Sequence, residues 1–90
     1  MDIEFAPKKS AKNAEERGLP FDLVAEFEFE TALVASDTRE AYGEDRFIAL
    51  GRIQRRLYVL AYTMRGTSLR VISFRKANAR EVERYDQAQP

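Results

Sequence analysis

The side chains able to do chemistry in this sequence are arginine, lysine, tyrosine and carboxylates, because it contains no histidine and no cysteine. Ser-His-Asp and Cys-His nucleophiles are therefore excluded, as is any Cys/His zinc site. No glycine-rich run has P-loop or dinucleotide spacing. Asp37, Glu40, Glu44 and Asp45 could be drawn together as an oxygen-only metal site, but loop carboxylates beside two arginines fit a solvated turn better. No metal or cofactor is expected. What remains is basic and aromatic: Arg65, Arg70, Arg75, Lys76, Arg80, Arg84 and Tyr85. Arginine's planar fork suits phosphate. RNA carries its own 2′-hydroxyl nucleophile, so a protein need only orient the chain and stabilise the charge that develops. The plainer reading of Arg70 and Arg84 is surface charge.

Charge is divided along the chain. Residues 1–50 hold 6 basic and 12 acidic side chains, net −6, and residues 51–90 hold 9 and 3, net +6. Such a split marks a nucleic-acid face or an acidic partner's dock, unless the halves pair with each other across the fold. With 90 residues the chain is expected to form one domain, 1–90, small enough for a partner to matter to its stability. The start lacks a signal-peptide pattern and no apolar run approaches a membrane span, so a cytoplasmic protein without membrane contact is expected.

The elements that must position these residues follow from periodicity. Ile3 and Phe5 alternate as a short strand. Pro7 opens a helix to about Arg17, ended by Gly18 and poorly capped by Ala6. Pro20 opens a second short helix through Phe21, Val24 and Phe27, and Ala32–Ala35 reads as a strand. The polar stretch Asp37–Asp45 is a loop. Phe47–Ile53, Leu57–Thr63 and Leu69–Phe74 form a three-strand antiparallel meander with hairpin-length connections. Asn78 and Glu81 make a capping box that launches a last helix, with Val82 and Tyr85 inward and residues 87–90 as a loose tail. Alternation sets Arg70, Ile72 and Phe74 on one face of the last strand, with Leu69, Val71, Ser73 and Arg75 on the other. The expected fold is α+β, in the order β-α-α-β-β-β-β-α. Two N-terminal helices cover one face of a mixed sheet, and a C-terminal helix closes an edge or end.

Ile3-Glu4-Phe5, Pro7-Lys8-Lys9, Asn13, Gly18 and Phe21 resemble the opening of BrnT toxins. So do Asp37-x-Arg39, Tyr42-Gly43-Glu44-x-Arg46 and Gly51. The close is similar too, in Tyr62-Thr63, Arg65, Arg70–Ala77, Glu81 and Tyr85. The resemblance spans about residues 2–85. It implies a RelE-like ribonuclease fold, metal-independent RNA cleavage that arrests translation, and a ribbon-helix-helix BrnA-like antitoxin in a hetero-oligomer. On that footing Arg75 and Arg46 are expected to contact phosphate, with Arg65, Arg70, Lys76 and Lys12 as further RNA-binding cations. Tyr85 either orients and assists proton transfer or packs the last helix. Glu81 or Glu44 is the candidate base, unless Glu81 only caps the helix and Glu44 only pairs with Arg46. Arg75 is expected to be free, so that its loss abolishes cleavage and leaves stability unchanged. This chain has Glu16-Arg17-Gly18 where the family usually has Lys-His-Gly, and Arg17 cannot act as a base near neutral pH. It has Phe74 in place of the family's alanine, either as core or as a ring on which a base stacks. The alternatives to a ribonuclease toxin are an antitoxin-binding module that cleaves weakly and a non-enzymatic RNA-binding protein.

Overall fold

The computed structural model describes residues 2–89. Its elements are β1 (Asp2–Glu4), α1 (Pro7–Arg17), a 3₁₀ helix (Phe21–Glu26), β2 (Glu28–Ser36), β3 (Arg46–Ile53), β4 (Arg56–Arg65), β5 (Ser68–Lys76) and α2 (Ala79–Ala88). The five strands form one sheet in the order β1-β5-β4-β3-β2, antiparallel except for the parallel β1–β5 pair. This is the α+β class read from the sequence, with a four-strand rather than a three-strand meander.

The second N-terminal α-helix is not formed. Phe21–Glu26 closes with i→i+3 bonds, Leu23 N–H to the Pro20 carbonyl and Phe27 N–H to that of Val24. Pro20 holds an extended conformation on one side and β2 begins at Glu28 on the other, which leaves no room for successive α-turns. α1 is tied to the part of β5 beyond its pairing with short β1, where Asn13 Nδ2 donates to the Phe74 carbonyl (2.9 Å). Gly18 ends α1 in the left-handed conformation (φ 70°). The tail expected to be loose is helical through Ala88, and Pro90 lies outside the described residues.

The two faces carry separate cores. Phe21, Val24 and Phe27 pack with Ala49, Leu60, Tyr62, Leu69, Val71 and Phe74 on one face. On the other, Tyr85 of α2 packs on Leu50, Leu57 and Val59. The alternation of β5 breaks at a bulge: Ala61 pairs with Ser73 but Tyr62 pairs with Val71, so Ile72 is the extra residue. Phe74 therefore joins Leu69 and Val71 on the first face, fully buried and stacked on Tyr58, which settles it as core. Arg75 turns to the α2 face, opposite to the expectation from simple alternation.

Gly51 on β3 faces the Phe27 ring so closely that a Cβ there would lie 2.6 Å from Phe27 Cζ. Gly51→Ala is expected to destabilise the fold by about 1–3 kcal/mol through overpacking, read as a lowered thermal midpoint. An unchanged midpoint would mean that Phe27 is not seated as described.

Candidate nucleic-acid interface

α2 covers only the Leu50–Leu57–Val59 end of its face. At the other end β3, β4 and β5 align a row of side chains. Arg46 stands opposite Thr63, Thr63 opposite Arg70, and Arg70 beside Glu4 of β1. Cross-strand neighbours on one face lie about 5 Å apart, so the two guanidiniums spring from points about 10 Å apart across a threonine. Thr63 is buried (2% exposed), and its hydroxyl donates to the Asp45 carbonyl at 2.6 Å. Arg65 lies two residues further along β4 on the same face. With Lys9 of α1 these arginines line a small cleft of about 130 Å³.

The carboxylates of this cleft sit at its sides. Arg46 Nε donates to Glu44 at 2.9 Å, and Arg70 stands 3.6 Å from Glu4. Both terminal nitrogens of Arg46 take no other hydrogen bond among the described residues, and Arg65 has no carboxylate within ion-pair distance. Lys9 and Ile72 also border a second cleft of about 410 Å³ between α1 and β5, with Lys12, Asn13, Arg17 and Arg75 on its walls together with Glu16, which stands 4.0 Å from Lys12. A basic path therefore runs from the Arg46–Arg70 row along α1.

Arg46, Arg65, Arg70, Lys12 and Arg75 thus reach one surface, while the other candidates fall elsewhere. By strand geometry Arg75 stands about 16 Å from Arg46, two strands across and four residues along. Its guanidinium is not free: Nη1 and Nη2 donate to the two carboxylate oxygens of Glu81 at 2.9 and 2.8 Å. Glu81 also accepts from the Asn78 N–H and completes the capping box, so this pair ties the end of β5 to the start of α2. The Arg75 guanidinium beside it lowers the Glu81 carboxyl to about 2, which makes Glu81 a weak base. Glu44 is the carboxylate that lines the row. Tyr85 is buried against the α2-side core with its hydroxyl donating to the Thr31 carbonyl (3.0 Å) and Arg52 over its ring, an arrangement for packing. Lys76 is exposed at the far end of β5, paired with Tyr58.

Thr63, Lys9 and Asn13 were not read as site residues. Thr63 carries no chemical signal by itself, and its place appears only when the hairpin registers set it between two arginines. The loop carboxylates form no metal site. Asp37 is taken by Arg39 and Tyr42, Glu44 by Arg46, and no group of three or more potential ligands exists among the described residues. No helix among those residues is long and apolar enough to cross a membrane.

The structure is an α+β sheet with an arginine row at the end of the face that α2 leaves bare. Residues 5–81 match the family described as the ribonuclease toxin BrnT of type II toxin–antitoxin systems, and the chain belongs to that family. A search of curated proteins finds no match. Membership brings an RNA target and an antitoxin partner at the level of the family.

The Arg75–Glu81 pair has a pH signature. Because the folded-state carboxyl is lowered from 4.5 to about 2, its contribution is complete above pH 4.5 and is lost as pH falls toward 2. Glu81→Gln is expected to lower stability at pH 7 and to flatten its decline between those values, measured by denaturant unfolding across pH. Arg75→Ala should also lower the midpoint, contrary to the expectation for a free cation. An acid profile identical to the parent's would contradict the pairing.

Proposed function

We propose that the chain is a metal-independent endoribonuclease whose phosphate site is the Arg46–Thr63–Arg70 row with Arg65 and Lys9. The observation that carries this reading is the convergence of these cations on one uncovered stretch of sheet, with their carboxylates only at its sides. In the reaction the RNA 2′-oxygen attacks the adjacent phosphorus and the bond to the 5′-oxygen breaks, giving a 2′,3′-cyclic phosphate and a 5′-hydroxyl end. Glu44 takes the 2′-hydroxyl proton, and the leaving oxygen gains a proton from solvent. Negative charge grows on the non-bridging oxygens in the transition state, where preformed donors act most strongly. Arg46 and Arg70 supply them, while Lys12 holds the strand along α1. The protein acts in the cytoplasm, where cleavage arrests translation until a ribbon-helix-helix antitoxin covers the cationic half with an acidic segment.

A second reading has support of its own: Arg17 stands where relatives have histidine, and Arg75 is engaged by Glu81. On that reading the chain binds its antitoxin and cleaves weakly. The two part on activity. The purified protein should cut single-stranded RNA in excess EDTA to cyclic-phosphate ends. Arg46→Ala and Arg70→Ala should each slow this by about 10²–10³ while moving the thermal midpoint little. A parent that never cleaves favours the binding module, and activity lost to EDTA and restored by Mg²⁺ contradicts the metal-free chemistry.

A further inference from the structure

The loop between β2 and β3 is built around one carboxylate. Asp37 N–H donates to the Arg46 carbonyl at 2.7 Å and closes the base of the loop. The Asp37 side chain, 4% exposed, accepts from Arg39 Nε and Nη2 (both 2.8 Å), from the Arg39 N–H (3.2 Å) and from the Tyr42 hydroxyl (3.0 Å). These bonds hold its carboxyl far below the ordinary range, so the anchor stays charged at any working pH. The Tyr42 ring, fixed at its hydroxyl end, lies under Arg46 with the guanidinium carbon 4.1 Å from the ring centroid.

An arginine on a sheet surface otherwise samples many rotamers. Here Arg46 is restrained twice, by the ring beneath its plane and by Glu44 at Nε. Both restraints leave the terminal nitrogens free. We propose that Tyr42, anchored by Asp37, is a positioning residue that holds the Arg46 guanidinium ready for a phosphodiester. The role of Arg46 rests on the function proposed above, but the restraint itself does not. Tyr42 touches no phosphate; it acts through Arg46, by holding a donor within the narrow range of placements that catalysis tolerates. Stacking lets it do so without consuming any of the donor's N–H groups.

The test uses the full-length protein with Tyr42→Leu, which removes the ring, and Tyr42→Phe, which keeps it and removes only the bond to Asp37. In the parent, the Arg46 Nε–H resonance should be shifted by the aromatic ring. It should move to an ordinary position in Tyr42→Leu and shift part of the way in Tyr42→Phe, whose ring remains but is no longer pinned to Asp37. This readout needs no RNA, so it stands even if the parent proves inactive. For cleavage of a single-stranded oligoribonucleotide, Tyr42→Leu should lower kcat by about 10–100-fold. Tyr42→Phe should fall between the parent and Tyr42→Leu. In an Arg46→Ala background the Tyr42→Leu change should have no further effect, because the positioned group is gone. Two results would overturn the proposal. One is an Arg46 resonance indifferent to Tyr42→Leu. The other is an equal loss of rate with and without Arg46, which would mean that the ring only stabilises the loop.

Discussion

Two arginines one strand apart on either side repel each other, and the face that carries them holds together because the threonine between them is pinned. Thr63 is buried with its hydroxyl on the Asp45 carbonyl, so β4 is tied to the chain entering β3 just where Arg46 begins that strand. The registers Arg46–Thr63 and Thr63–Arg70 then leave the two cations no choice of side. A slip of one residue in either hairpin would send one arginine into the opposite core. Glu44 and Glu4 relieve the repulsion only at its sides, so the centre of the row is a place an anion would complete.

The rest of the molecule exposes that row and steadies it. α2 is short and is locked to β5 through Arg75, Glu81 and Asn78, so it covers one end of the sheet and leaves the other bare. The Asp37–Tyr42 loop borders the row on one side and Lys9 of α1 on the other. The acidic and basic halves of the sequence do not neutralise each other across the fold. Of the ion pairs among the described residues, Arg70–Glu4 alone joins them. Much of the basic half thus stays available to an outside partner.

Local signals were legible in the sequence. Pro7 and Gly18 bracket α1, and the Asn78–Glu81 box starts α2. Three of the meander strands follow from runs of apolar alternation. Tertiary demands overrode the local reading elsewhere. Nothing in Leu69–Phe74 announces a bulge at Ile72; it forms because Phe74, like Leu69 and Val71, is needed in the core beside Leu60. Phe21–Glu26 has helical spacing but too few residues between Pro20 and β2 to make α-turns. Among the site candidates, Arg46, Arg65 and Arg70 were legible as residue types, but 24 positions separate Arg46 from Arg70 and only the hairpin registers bring them together. Arg75 and Tyr85 were placed by resemblance on the catalytic side, where sequence could not show that Glu81 occupies one and the Thr31 carbonyl the other.

The central claim is that Arg46 and Arg70 together hold one RNA phosphate path, and the salt dependence of binding tests it most directly. Each phosphate contact to single-stranded RNA adds about 0.7 to the slope of log affinity against log salt. The Arg46→Ala, Arg70→Ala double variant, still folded, should bind a single-stranded oligoribonucleotide more weakly, with a slope shallower than the parent's by about 1.4. A double variant with the parent's slope would show that the row does not touch the backbone and would contradict the account.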